Sequence, residues 1–130
     1  MSAQRYRVGL VGFGRIAESA HLPAWLALPG VEVVAIVDHC AERRVAAQLS
    51  VPEARIFSSC AAMLDRMRLD CVDVCTPPHD HTPSILAACE TGVSQIICEK
   101  PLVASTADYR SIAAAQGRGG SQVYTINTWV

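Results

Sequence analysis

Gly12, Gly14 and Ala17 form a G-x-G-x-x-A pattern directly after an apolar run, residues 6–11, and at the head of a helix-forming stretch. The chemistry available at such a place is anion binding by main-chain groups. A glycine at 12 lets the chain turn sharply out of a strand. A glycine at 14 leaves room for a phosphate to approach the backbone, and a small residue at 17 keeps the helix close to the sheet. Free N–H groups and the positive end of the helix dipole then face the phosphate. A second apolar run, residues 31–37, ends at Asp38, which lies 21 residues beyond Ala17. A carboxylate at that spacing is placed to accept the hydroxyls of an adenosine ribose. The first strand, the glycines and Asp38 therefore predict a dinucleotide site.

A second group of chemically capable residues lies further along. Thr76-Pro77-Pro78-His79-Asp80-His81 follows one apolar run and Glu99-Lys100-Pro101 follows another. Both stretches fall where a parallel sheet would present its C-terminal edge, the usual ligand edge of open α/β sheets. An ammonium there can stabilise a developing alkoxide or help pass a proton. Taken alone, Glu99 and Lys100 also read as a solvated ion pair at a strand end. His81 reads equally as a residue that starts a helix and bonds locally, and His79 and Asp80 as polar loop groups. Asp73 interrupts an otherwise apolar strand, which places it near a strand end or pairs it with a helix residue. Lys100-Pro101 is a candidate cis peptide.

The elements that must hold these residues alternate. Strands are expected at 5–11, 31–37, 55–57, 70–75, 93–98 and 122–129. A first helix begins near Gly14 and is expected to split in two around His21-Leu22, because a residue before proline resists the helical region and Pro23 follows. A helix over 41–49 should turn Val45, Ala46 and Leu49 inward. One capped by Ser58 or Ser59 should bury Ala62, Met63 and Met67. A fourth, over 80–90, should bury Ile85, Leu86 and Cys89 and stop at Gly92. Ser105 with Asp108 resembles a capping box for a fifth helix ending near Gln116, followed by a Gly117–Gly120 loop. Such alternation predicts an α/β fold: a doubly wound parallel Rossmann sheet, six strands in the order 3-2-1-4-5-6, with right-handed crossovers and helices on both faces.

Composition agrees with a single folded domain. The chain has 130 residues, 51% hydrophobic and 18% charged, with a net charge of −1. That balance points to neither nucleic acid nor a membrane surface as partner. No apolar run reaches the length of a membrane span, and the N-terminus enters the first strand with no leader-like segment. Six cysteines, at positions 40, 60, 71, 75, 89 and 98, contain no C-x-x-C pair. They read as free thiols used as small hydrophobes in a reducing, cytoplasmic setting, with no metal site.

The glycine fingerprint, Asp38, His21-Leu22-Pro23, the 76–81 stretch and above all Glu99-Lys100-Pro101 together resemble the Gfo/Idh/MocA family of oxidoreductases (glucose–fructose oxidoreductase, inositol dehydrogenase and relatives). The resemblance runs in order along nearly the whole chain. It implies an NAD- or NADP-dependent enzyme acting on a hydroxyl or carbonyl of a sugar, cyclitol or related small molecule. By position, Gly12, Phe13, Gly14, Arg15 and Ile16 would line the pyrophosphate loop, and Asp38 would hold the adenosine ribose. Thr76, Pro77 and His81 would lie along the nicotinamide half. Glu99 and Lys100 would sit beside nicotinamide and substrate, with Lys100 the catalytic residue on the reacting hydroxyl. Asp38 favours NAD over NADP, although Arg43 and Arg44 are near enough to reach for a 2′-phosphate.

The family's enzymes carry a second, substrate-holding α+β domain after the sixth strand. This sequence ends where that domain would begin, so residues 1–130 are expected to be the dinucleotide-binding domain with half of the usual active site. Three readings stay open. The chain is a cofactor domain of a longer enzyme, a non-catalytic NAD(H)-binding module or partner subunit, or a compact enzyme completed by dimerisation. An open sixth strand carrying Val123, Tyr124, Ile126, Trp129 and Val130 is expected to favour a homodimer.

Overall fold

The structure, a computed structural model, describes residues 4–126. Its sheet has six parallel strands: β1 (Tyr6–Val11), β2 (Val31–Val37), β3 (Arg55–Phe57), β4 (Cys71–Val74), β5 (Gln95–Cys98) and β6 (Gln122–Thr125). The spatial order is β3-β2-β1-β4-β5-β6, as the alternation of elements predicts. Of the expected sixth strand, positions 127–129 and the edge residues Trp129 and Val130 lie outside the described residues.

Alternation along the central strands divides the core between two faces. Val72 and Val74 of β4 point to the side covered by α3 (Cys60–Arg66), α4 (His81–Glu90) and α5 (Thr106–Gly119). Leu10 of β1 and Ile36 of β2 point to the other side, with Phe13, Ala17, Leu22 and Ala47. That side is covered by α1 (Leu22–Leu26) and α2 (Ala41–Ser50). Asp73, between Val72 and Val74, therefore faces α1.

Three local expectations need correction. The first helix does not split at His21-Leu22. A π-turn over Ala17–His21 runs directly into α1, and Leu22 N–H reaches five residues back to Ala17 O. The widened turn carries the chain past Pro23, which has no N–H to donate, without breaking the helix. It also turns His21 inward, to 7% exposure.

In α2 the inner face is centred on Ala47, which is fully buried, whereas Val45 and Leu49 are 61% and 77% exposed. Those two lie two positions either side of Ala47, about 200° around the helix. A small residue at the point of closest approach to the sheet thus sets the register, and the bulkier pair is left outside.

Finally, α5 continues beyond Gln116 to Gly119 and stops at Gly120, whose φ of +72° is the left-handed termination the capping rules describe. A side chain at Gly119 would lie 3.3 Å from Cys89 O, so glycine there lets α5 pack closely on α4. The Ser59 and Ser105 caps form as expected, accepting from Ala62 N–H and Asp108 N–H. All six cysteines are free thiols.

Candidate functional site

The C-terminal ends of β1, β2 and β4 open onto a groove of about 540 Å³. Gly12, Gly14, Arg15, Ile16, Asp38, Thr76 and Pro77 line it together. Gly12 has φ +91°, and a Cβ there would lie 3.0 Å from both Cys75 C and Thr76 N. The turn out of β1 therefore requires glycine for conformation and for space. Gly14 is different. A Cβ at Gly14 would meet nothing within 4 Å, because that side of the loop is open groove. Phe13 departs from the expectation for the loop: its side chain is fully buried in the core, and only its main chain stays near the site.

Asp38 is braced by the loop it faces. Its Oδ2 accepts Phe13 N–H at 2.8 Å and its Oδ1 accepts Cys40 N–H at 2.8 Å. Each oxygen keeps a lone pair for a further donor. The two arginines of α2 are both engaged: Arg43 Nε donates to Phe13 O at 2.6 Å, Arg43 Nη2 lies 3.1 Å from Glu18 Oε1, and Arg44 Nη1 donates to Asp38 O at 2.9 Å. Thr76 Oγ1 is buried in this groove wall without a hydrogen-bond partner. An orphaned buried hydroxyl carries a free-energy penalty of about 1–3 kcal/mol until something bonds it. A braced ribose-type carboxylate, a bare glycine backbone and an unpartnered hydroxyl along one groove fit a dinucleotide.

Lys100 stands beyond the end of β5, two strands along the same edge from Gly12, and is exposed. Its peptide bond to Pro101 is cis. Neither Lys100, Glu99 nor His81 is among the residues lining the groove. His81 is fully buried, and its ring spans two loop carbonyls, Thr76 O at 2.7 Å from Nε2 and Pro101 O at 2.8 Å from Nδ1. Its place is that of a strap tying the loop after β4 to the loop after β5, rather than a side chain open to a ligand.

The residue whose pairing sequence reasoning passed over is His21. Its Nδ1 lies 2.7 Å from Asp73 Oδ2 and its Nε2 lies 2.6 Å from Glu99 Oε1. Trp25 Nε1–H donates to the same Asp73 oxygen at 2.7 Å, and the Cys75 thiol lies 3.6 Å from Asp73 Oδ1. The signal was Asp73 itself: a carboxylate in an apolar strand must be paired, and the helix carrying His21 and Trp25 supplies the partners. Each nitrogen of the imidazolium donates to one carboxylate. Burial alone would lower the His21 pKa; the hydrogen bond and charge of Asp73, then those of Glu99, outweigh it and raise it to about 9. His21, Asp73 and Cys75 also lie close enough to share a cation, with ligand atoms within 4.8 Å of one another. The ring nitrogens are already committed to carboxylates, and burial keeps the Cys75 thiol protonated far above neutral pH.

A pH dependence follows. The folded chain holds the His21 proton more tightly than the unfolded chain, so the contribution is complete below pH 6.5 and is lost as pH rises through about 9. From 6.5 to about 9 the loss is on the order of 3 kcal/mol. Burial raises the Cys60, Cys71, Cys75 and Cys98 thiols above their ordinary value of 9.0, so above about pH 9 they add a loss of their own. Denaturant titrations at pH 6 and pH 8.5, below the range in which the cysteines ionise, should show most of this fall in the wild type and a much smaller one in His21→Gln. Equal falls would assign the effect to another group.

Comparison with known proteins agrees with this geometry. The family model described as "Oxidoreductase family, NAD-binding Rossmann fold" (Gfo/Idh/MocA) matches residues 6–127. The D-apiose dehydrogenase of Paraburkholderia graminis is 35% identical over 119 residues, covering 92% of this chain and 31% of that protein. Inositol 2-dehydrogenase 4 of Saccharopolyspora erythraea is 27% identical over 126 residues, covering 97% of this chain and 37% of that protein. The WlbA dehydrogenase of Bordetella pertussis, solved with NADH and UDP-GlcNAcA, superimposes with a TM-score of 0.88 at 28% identity, covering 94% of this chain and 37% of that one. The chain spans about a third of the length of the relatives it matches. Among the described residues no helix is long and apolar enough to cross a membrane. With its sheet order, its glycine loop and this match over nearly its whole length, the chain belongs to the Gfo/Idh/MocA family of oxidoreductases, as an NAD-binding Rossmann domain.

Proposed function

We propose that residues 1–130 are the cofactor-holding half of a cytoplasmic NAD-dependent oxidoreductase that moves a hydride between nicotinamide and a hydroxyl or carbonyl of a sugar, cyclitol or similar polyol. The observation that carries this reading is the single edge bearing an open Gly14, a braced Asp38, an unpartnered Thr76 hydroxyl and, two strands away, Lys100. Gly12, Gly14, Arg15 and Ile16 hold the pyrophosphate, together with the main chain of Phe13. Asp38 takes the adenosine ribose, and its charge opposes a 2′-phosphate. Thr76 and Pro77 form the wall toward the nicotinamide, and His81 holds that wall in place. The bound nicotinamide supplies hydride chemistry; the protein's part is to orient substrate and handle its proton. Lys100 meets the reacting hydroxyl, where its ammonium stabilises the developing alkoxide. The relatives' names, which refer to apiose and inositol, support the substrate class.

Substrate orientation contributes about 7–11 kcal/mol in well-aligned systems, and relatives have about twice as much further chain in which to provide it. The chain alone should therefore bind NADH yet leave NAD+ unreduced against a panel of polyols, inositols and sugar nucleotides. Joined to the second domain of a relative, it should reduce NAD+ with one of them. Turnover by the chain alone, abolished by Lys100→Ala, would overturn the half-site reading and establish a compact enzyme.

A homodimer is the proposed resting state. β6 is an edge strand with Tyr124 47% exposed, and an apolar cleft beside it is lined by Ala24, Leu28, Ile97 and Ile126. Exposed edges and apolar patches of this kind favour pairing. Sedimentation should report a dimer at tens of micromolar; a clean monomer at high micromolar concentration contradicts this.

A further inference from the structure

We infer that His21 is a positioning residue for Lys100: clamped between Asp73 and Glu99, it fixes the Glu99 carboxylate so that its second oxygen holds the main chain of Lys100. The inference rests on the reading of Lys100 as the residue that meets the substrate hydroxyl.

The chain of contacts is continuous. Asp73, 1% exposed, anchors the His21 ring through Oδ2, and Trp25 donates to that same oxygen from the helix side. The ring's other nitrogen lies 2.6 Å from Glu99 Oε1. Glu99 Oε2 accepts Lys100 N–H at 3.1 Å. Glu99 N–H is meanwhile tied to Val74 O at 2.9 Å, so the residue before Lys100 is held at both main chain and side chain.

A carboxylate with each oxygen assigned to a different donor has no free rotation to lose. Without the imidazolium, Glu99 would be an ionised side chain 17% exposed at the edge of the site, and hydration would draw it outward. Lys100 N–H would then lose its acceptor. Charge points the same way. Asp73 and Glu99 face His21 from the ends of β4 and β5, with the Cys75 thiol beside Asp73. One cation between two carboxylates leaves a single net negative charge behind Lys100. Neutralising His21 would leave two, one of them deeply buried.

The π-turn gives the arrangement its geometry. It places His21 and Trp25 on the sheet-facing side of one helix, four residues apart, where both reach Asp73. Nothing in the groove itself needs His21, so a defect there should spare the adenosine half of the site.

The test uses the 15N-labelled full chain, with NADH and ADP-ribose as probes. In folded His21→Gln the Lys100 amide resonance should move toward its position in the unfolded chain. NADH affinity should fall about threefold or more, while ADP-ribose affinity, which has no nicotinamide to sense Lys100, holds within about twofold. In a Lys100→Ala background His21→Gln should cost NADH nothing further, since residues acting through one another are not additive. An unmoved Lys100 amide, equal losses for the two probes, or additive losses would each overturn the inference. Should His21→Gln fail to fold, Glu99→Ala serves instead. It leaves Lys100 N–H without its side-chain acceptor, and a Lys100 amide proton that does not move toward its position in the unfolded chain overturns the inference as well. Absence of ADP-ribose binding by the wild type would count against the proposed function, while the Lys100 resonance would still decide the role of His21.

Discussion

Gly14→Val is expected to weaken NADH binding by at least about tenfold, 1.4 kcal/mol, with folding stability within about 1 kcal/mol of wild type. The separation of the two effects comes from where the side chain would go. Gly14 does not have a positive φ, so valine can adopt its backbone conformation. Its Cβ would touch no atom within 4 Å, so nothing in the folded chain is displaced. The space it fills is the open side of the groove above the loop. A branched side chain there stands between the N–H groups at the start of the first helix and any phosphate. Gly12→Ala is the informative contrast. At φ +91° and 3.0 Å from two main-chain atoms, it should cost stability first, by a few kcal/mol. Calorimetric titration with NADH and denaturant unfolding of both variants separate these outcomes. Unchanged affinity in Gly14→Val would make the glycine loop a structural turn only.

Lys100→Ala should lower kcat about 10²–10⁴-fold in the chain joined to a relative's second domain, the range expected for loss of a positioned proton-transfer group. Lys100 is exposed, and the hydrogen bond it makes to Glu99 uses its main-chain N–H, which alanine retains. Stability should therefore not move, while NADH affinity should fall by at least the roughly threefold lost in His21→Gln, which acts through Lys100. The loss should appear in kcat and kcat/KM together, because the ammonium acts on charge that develops only in the transition state. Stopped-flow measurement of NADH formation tests this; an unchanged rate of the hydride step would remove Lys100 from the chemistry.

Much of this was legible in the residues. The glycine loop, the strand alternation and the position of Asp38 depend on short-range rules, and the sheet order follows from connection chirality. What failed was set by tertiary contact. The register of α2 turns on Ala47 fitting closest to the sheet, a choice that composition disguised because Val45 and Leu49 are the larger hydrophobes. Pro23 suggested a break, yet one π-turn absorbs it. His81 and Phe13 matched positions in a pattern, but a pattern does not say whether a side chain faces the groove or the core, and both face inward. His21 was legible as part of a motif, but its pairing was not, because its partners lie 52 and 78 residues away. Only the odd placement of Asp73 hinted at them.

The central claim is that this groove holds NAD(H) by its pyrophosphate and adenosine ribose. Parallel calorimetric titrations of the wild-type chain and Asp38→Ala with NADH and NADPH test it most directly. The account predicts one saturable NADH site per chain, weaker NADPH binding, and a gap between the two cofactors that narrows in Asp38→Ala. Absence of NADH binding by the folded wild type, or NADPH binding tighter than NADH, would contradict it.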